Sequence, residues 1–203
     1  AKHLELHGLG WFLAEWGRAV PAWTDLPLVP GLYGLVFRML GESRALVQAA
    51  TTLLFAGCVV VTHRLGSVLW DEETGFTAGA FLLAMPYLLT QVPAMLVDVP
   101  TMAFLALATL AAAQAFRSGG AGRVLVASLA VSLALFAKYS AGLLLSVLPV
   151  IAVVSRREGA PRPWRTAIAT ALVPASLVLA AALARPDVLR DQWALLAGYQ
   201  APG

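Results

Sequence analysis

The stretch Gln91-Val92-Pro93-Ala94-Met95-Leu96-Val97-Asp98-Val99-Pro100-Thr101 separates two long apolar runs, residues 74–89 and 102–116. Asp98 is the sole charged residue across both runs and the stretch between them. A carboxylate that faces lipid is costly, so such residues usually lie at a membrane surface or line a polar cavity. A proline stands on either side of Asp98, which favours a tight loop. The stretch is therefore predicted to join two spanning helices and to present Asp98 at the membrane surface.

The composition indicates a polytopic helical membrane protein, an all-α transmembrane bundle. Of the 203 residues, 60% are hydrophobic and only 12% are charged, and the mean hydropathy is +0.79. These values are too apolar for an ordinary soluble domain. The single Cys58 lies inside an apolar run, which excludes a disulfide framework or a cysteine-based metal site. Neither HExxH nor a phosphate-binding glycine loop occurs, and we expect no nucleic-acid partner.

Apolar length and polar ends predict six spanning helices. They cover about residues 45–62, 74–92, 99–116, 122–137, 140–154 and 165–184. The fourth and fifth are short for a span of ~20 residues, so we expect one to tilt or to be a broken helix that lines a cavity. Pro86 is expected to kink the second. Residues 1–44 are predicted to be an outer loop with short interfacial helices, residues 45–184 the bundle, and residues 185–203 the start of another outer loop.

Lysine and arginine in the short loops predict the orientation. The loops at residues 63–73, 117–123 and 155–165 together contain seven arginines: Arg64, Arg117, Arg123, Arg156, Arg157, Arg162 and Arg165. The alternating loops contain one cation, Lys138. The arginine-rich loops are therefore predicted to be cytoplasmic. Asp98 and Lys138 then lie on the extracytoplasmic face, together with residues 1–44.

Several short motifs, taken in order, carry a family resemblance. They are Asp-Leu-Pro-Leu-Val-Pro (25–30), Phe-Arg-Met-Leu-Gly-Glu (37–42), His-Arg-Leu-Gly (63–66), Val-Asp-Val-Pro-Thr (97–101) and Phe-Ala-Lys-Tyr-Ser (136–140). In pattern and order the chain resembles the GT-C superfamily of integral membrane glycosyltransferases over most of residues 1–155. Within that superfamily it looks most like the branch of dolichyl-phosphate-mannose–protein mannosyltransferases and aminoarabinose transferases.

The resemblance implies transfer of a sugar from a polyprenyl-phosphate carrier to a lipid or protein acceptor, in the plasma (inner) membrane. It gives Asp98 the place of an acidic residue that opens the span after the second outer loop, and Lys138 that of a basic residue near the lipid phosphate. Asp25 falls where the family often has His or Lys, and is our second catalytic candidate. Tyr139 and Gln91 are candidate substrate-binding residues, and a divalent metal is left open.

One feature of the family pattern is missing. The first outer loop of such enzymes carries an adjacent Asp-Glu pair, and residues 1–24 contain none. By family spacing it would precede Ala1. We therefore expect the chain to be part of a longer protein and to be inactive alone.

Each candidate residue also has a structural interpretation. Asp98 is suited to be an N-cap, with a proline in the first helical turn. Asp25 would cap the segment 26–40, and Lys138 would extend to the interface from a helix end. Tyr139 and Gln91 would belong to an interfacial belt.

Two other protein classes stay open at this stage. A transporter or channel segment would explain prolines and a rare charge among six helices, although that class usually places polar groups near mid-membrane. A structural subunit would bind partner helices through its alanine-rich faces. That hypothesis predicts that Asp98 and Lys138 point away from each other.

Overall fold

A computed structural model describes residues 2–16, 26–94, 96–160 and 162–187, with residues 190 and 194. Within these ranges the chain is a bundle of α-helices, as predicted. The helices are α1 (Lys2–Ala14), α2 (Leu28–Leu40), α3 (Arg44–Leu69), α4 (Glu72–Ala84), α5 (Pro86–Gln91), α6 (Asp98–Ser118), α7 (Ala121–Ala137), α8 (Leu143–Arg157) and α9 (Pro163–Ala184). One turn of 3-10 helix, Tyr139–Gly142, precedes α8.

Four segments in the described part of the chain are long and apolar enough to cross a bilayer. They are Arg44–Leu69, Asp98–Ser118, Tyr139–Arg157 and Pro163–Ala184. Two further predicted spans correspond to shorter elements. One is α7, with 17 residues, and the other is the pair α4 and α5.

The second predicted span is the broken one. Met85 has an extended backbone (φ −72°, ψ 109°) between α4 and α5. Pro86 begins α5, and a proline disfavours helical backbone at the residue before it. In the fourth predicted span, α7 is a continuous helix, and the alternative that it tilts stays a prediction. In the fifth, a 3-10 turn runs directly into α8.

The core between α6 and α7 consists mainly of small residues, while many large apolar side chains face outward. Ala108 and Ala115 of α6 and Ala127 and Ala134 of α7 are fully buried in one cluster. In contrast, Leu53, Phe76, Phe81, Leu172 and Leu183 are all at least 60% exposed. In lipid, small residues let helix backbones approach closely, and large side chains can face the hydrocarbon. This distribution fits an integral membrane protein.

The helix α3 extends further than predicted. It runs to Leu69, and α4 begins at Glu72, so most of the predicted loop 63–73 is helical. The Asp71 side chain caps α4 by accepting a hydrogen bond from the Thr74 amide at 2.7 Å, and this bond lowers the pKa of Asp71. Gly66 and Gly75 let α3 and α4 touch, since a Cβ on Gly66 would lie 2.6 Å from the Gly75 Cα.

The alternation of helices defines two ends of the bundle. Helix α6 runs from Asp98 to Ser118, a rise of about 30 Å, and α7 packs against it and returns to Lys138. We call the end with Asp98 and Lys138 the Asp98 end. The other end carries the turn between α6 and α7 and the start of α9, and we call it the Arg162 end.

Candidate active site

The two charged residues singled out in the sequence meet at the Asp98 end. The Lys138 ammonium donates a hydrogen bond to Asp98 Oδ1, with 2.8 Å between the two atoms. The Asp98 side chain is 51% exposed and that of Lys138 is 35% exposed. Each group is therefore fixed by its partner yet still reachable by a ligand. The expectation of the structural-subunit hypothesis, that these side chains point apart, is wrong.

Asp98 is not the helix cap that its sequence context favours. The helix α6 already includes Asp98, and Val97 occupies the N-cap position without a side-chain cap bond. The Thr101 hydroxyl donates to the Val97 carbonyl oxygen at 2.6 Å. Because Asp98 lies in the first turn, its charge still interacts favourably with the helix dipole. Its carboxylate is thus directed to Lys138 rather than to the backbone of its own helix.

One apolar cluster positions both members of the pair. Val97 and Ala137, the residues immediately before Asp98 and Lys138, pack against a cluster formed by α2 and α3. The buried members of that cluster are Val29, Tyr33, Phe37, Val47 and Ala137. Tyr33 also bonds to Thr51 of α3, with 3.0 Å between the two hydroxyl oxygens. Packing on α2 and α3 therefore fixes the start of α6, at Asp98, relative to the end of α7, which Lys138 follows.

Lys138 lies directly after α7, where the backbone leaves the helical conformation. Its backbone is extended (φ −155°, ψ 133°), and its amide still donates to the Ala134 carbonyl at 3.2 Å. The 3-10 turn then begins at Tyr139, which is 69% exposed. Lys138 consequently projects from a junction between two helical segments.

The other predicted residues have different outcomes. Gln91 is the last residue of α5 and is half-buried at the Asp98 end. Within the described residues, neither Gln91 nor Tyr139 forms a side-chain hydrogen bond with the Asp98–Lys138 pair. Asp25 lies outside the described residues, so its predicted position beside Asp98 stays a prediction.

Two charged residues at this end were missed by the sequence interpretation. Arg44 and Glu42 line a cleft of about 290 Å³ together with Pro93, which belongs to the stretch before Asp98. Glu42 also pairs with Lys2, with 2.6 Å between Nζ and Oε2, and this bond raises the pKa of Lys2. The position of Arg44 immediately before an apolar run was a usable signal for a cation at the membrane surface.

Arg185 fastens α1 to the end of α9. Its guanidinium donates to the carbonyl oxygens of Leu13 and Trp16, each at 3.0 Å, and to that of Ala14. Leu13 and Ala14 lie in the last turn of α1, where carbonyls have no partner within the helix. The sequence interpretation gave Arg185 no role beyond solvation, because its partners are about 170 residues away in the chain.

The structure also has an apolar groove of about 770 Å³. It runs between α1, α2, α7 and α9, and Phe136, two residues before Lys138, is part of its wall. Leu133 and Leu177 extend the wall along α7 and α9, and Arg38 stands at its border. The groove thus combines a hydrocarbon lining with one cation, Arg38.

No cluster of three metal-ligating side chains occurs within the parts of the chain that the structure describes. Within the described residues, Asp98 is paired with a lysine and not with a second carboxylate. The described residues around Asp98 therefore do not form a metal site by themselves.

Comparison with protein families identifies one match. The family model described as dolichyl-phosphate-mannose-protein mannosyltransferase matches residues 21–185. That range contains Asp98, Lys138 and all the helices from α2 to α9. Neither the curated proteins nor the solved structures gave a match.

Proposed function

Because this chain belongs to the dolichyl-phosphate-mannose-protein mannosyltransferase family, we propose that it transfers a sugar to a lipid or protein acceptor on the extracytoplasmic face of the plasma (inner) membrane. Membership in the family makes it a membrane glycosyltransferase of this general type, for which a polyprenyl-phosphate sugar is the class of donor. Our proposal adds the face, the membrane and the residues that act.

The single observation that carries the proposal is the Asp98–Lys138 pair at one end of the bundle. Sugar transfer from a phosphate carrier needs a group that accepts or orients the acceptor's proton and a cation that offsets charge on the leaving phosphate. Asp98 supplies the first and Lys138 the second. Their separation of 2.8 Å keeps both within reach of one reacting centre.

The pair can keep its bond while it binds a ligand. The Lys138 side chain is about a third exposed, so a phosphate oxygen can approach its charge while the bond to Asp98 stays in place. Asp98 in turn has a second carboxylate oxygen that can accept a proton or a hydrogen bond from the acceptor. We assign the same neighbourhood to Tyr139 and Gln91, as groups that contact the sugar or the acceptor.

The apolar groove is the proposed site for the prenyl chain of the donor. Its hydrocarbon lining matches a prenyl chain in character, and Phe136 of its wall is two residues before Lys138 in the chain. A chain in the groove would thus bring its phosphate to the cation. Asp25 is proposed to add a second carboxylate from the segment before α2.

The proposed face follows from charge. Seven arginines lie in the segments predicted as short loops of the Arg162 end, whereas Lys138 is the one cation in the alternating predicted short loops. Short loops rich in arginine are retained in the cytoplasm, which leaves the Asp98 end outside. A transporter function would instead favour polar groups near mid-membrane.

The test measures the rate of sugar transfer from a polyprenyl-phosphate donor in membranes isolated from cells that express the full-length gene. Asp98→Asn and Lys138→Met should each lower the rate by about 100-fold or more. Glu73→Gln and Arg64→Gln, which remove one charge each at the Arg162 end, are the matched controls and should keep the normal rate. An Asp98→Asn enzyme with unchanged turnover would show that Asp98 is not catalytic.

The absence of an adjacent Asp-Glu pair from residues 1–24 leads to one more expectation. The 203-residue chain by itself should bind the donor without transferring the sugar, because the resemblance assigns the principal base to that pair. Turnover by the isolated chain would contradict this and would leave Asp98 and Asp25 as sufficient carboxylates.

A further inference from the structure

A second cavity lies at the Arg162 end, far from the Asp98–Lys138 pair. It has a volume of about 720 Å³, is open to the surface, and is lined by the turn between α6 and α7, the start of α7 and the first half of α9. Because α6 separates the two ends by about 30 Å, this cavity cannot share a ligand headgroup with the candidate active site. We propose that it binds an anionic membrane phospholipid.

The mouth of the cavity is cationic. Arg162 and Arg165 both line it, beside Ser118, Gly119 and Gly120. Within the described residues, neither guanidinium forms an ion pair with a carboxylate. Two arginines without an internal counterion are suited to a phosphate, which the planar guanidinium can hold through two parallel hydrogen bonds.

The interior of the cavity is apolar. Val124 and Leu125 line it from α7, and Ala169 and Val173 line it from α9. Val173 lies 11 residues beyond Arg162 along the chain, which corresponds to about 16 Å along a helix. The lining therefore changes from cationic to hydrocarbon over the length of an acyl-chain segment. A free phosphate would use only the mouth, whereas a phospholipid would use both parts.

The location of the cavity suits this occupant. Arg162 and Arg165 stand where α9 begins, at the level where a spanning helix meets the headgroup region. Basic pockets between transmembrane helices are recognised sites for anionic headgroups. The ligand class is thus a phosphodiester with attached acyl chains and net negative charge.

The experiment measures binding to the purified 203-residue chain in detergent. The probes are dioleoyl phosphatidylglycerol, dioleoyl phosphatidylcholine and inorganic phosphate, and the readouts are native mass spectrometry and the thermal unfolding midpoint. We expect bound phosphatidylglycerol and a raised midpoint, with little effect of phosphatidylcholine. Arg162→Asn combined with Arg165→Gln should weaken phosphatidylglycerol binding by about tenfold or more.

The substitutions are chosen so that the protein stays folded. Arg162 has a left-handed backbone (φ 52°), which asparagine tolerates better than most residues. The matched control is Arg156→Gln with Arg157→Gln, which removes the same charge at the same end but outside the cavity. A further variant, Arg162→Lys with Arg165→Lys, keeps the charge and should retain part of the affinity.

Three results would overturn the proposal. The first is equal loss of phosphatidylglycerol binding in the control pair, which would indicate a general charge effect. The second is a midpoint that rises as much with inorganic phosphate alone, which would make the ligand a soluble anion. The third is unchanged affinity in a folded Arg162→Asn, Arg165→Gln protein.

Discussion

The two ends of the bundle differ in how many of their cations have partners inside the protein. At the Asp98 end, Lys138 pairs with Asp98, Lys2 pairs with Glu42, and Arg185 is bonded to backbone carbonyls, whereas Arg44 forms no ion pair within the described residues. At the Arg162 end, none of the seven arginines forms an ion pair within the part of the chain that the structure describes. Cations that are compensated inside the protein have fixed positions, as a reaction requires. Cations without internal partners are available to anions of the membrane.

The largest expected effect concerns which side of the membrane each end faces. Ser140→Cys, at the Asp98 end, should react with a membrane-impermeant maleimide on intact cells. Glu158→Cys, at the other end, should react only after permeabilisation. Both positions are exposed, and the native Cys58 is only 2% exposed, so it provides an unlabelled background. The reverse labelling pattern would place Asp98 in the cytosol and contradict the proposed function.

The tight crossing of α3 and α4 at the Arg162 end should be sensitive to a single methyl group. A Cβ on Gly75 would lie 2.7 Å from the Ser67 backbone nitrogen, and such overpacking typically costs ~1–3 kcal/mol. Gly75→Ala should therefore lower the free energy of unfolding in detergent by about that amount.

Gly57→Ala is the control for this crossing, since nothing lies within 4 Å of a Cβ there. It should leave stability unchanged or slightly higher. Equal stability of the two variants would show that α3 and α4 do not touch at Gly66 and Gly75.

The Asp98–Lys138 pair should matter less for stability than for activity. Because both side chains are at least a third exposed, the coupling energy in a double-mutant cycle of Asp98→Asn and Lys138→Met should be only ~0.2–1 kcal/mol in unfolding. High salt should reduce it.

The turnover rates of the two single variants and of the double variant should be similarly low, as is found for residues that act as a unit. A large coupling energy in unfolding together with normal turnover would instead show that the pair stabilises the fold and has no role in catalysis.

The smallest effect is the pH dependence of the cap on α4. Bonding to the Thr74 amide lowers the pKa of Asp71 below its ordinary value of 3.8. Its stabilising contribution is therefore present above that value and is lost as the pH falls through the lower folded pKa. Asp71→Ala should destabilise the protein slightly at pH 7, and the difference from wild type should shrink at acid pH. Glu73→Ala, in the same turn, is the control, and a pH-independent difference would contradict the assignment.

Much of the fold could be predicted because the bilayer constrains it. Apolar length and loop charge predicted the helices that correspond to α3, α6, α8 and α9, since a spanning helix must satisfy its own backbone in hydrocarbon. The end of α3 could not be predicted. It continues to Leu69 past His63 and Arg64 because Gly66 packs on Gly75, and that contact depends on the partner helix.

The candidate site was predicted in part. The isolation of Asp98 and Lys138 in apolar sequence indicated that both lie at membrane surfaces, and the structure brings them into contact. Their context also favoured a capping role for Asp98, which is wrong because the nearby Lys138 provides a stronger partner. Arg44 and Arg185 were missed because their surroundings come from distant segments.

By itself, the sequence determined that the protein is an all-α membrane bundle, which loops lie at the same end of it, and which residues carry charge near lipid. The physical reason is that hydrocarbon penalises unsatisfied backbone groups and isolated charges wherever they occur. Only the tertiary structure decided which charges meet. The bond between Asp98 and Lys138, 40 residues apart, depends on the packing of Val97 and Ala137 on α2 and α3. Side-chain partners across helices are set by register and packing, which one chain segment cannot specify alone.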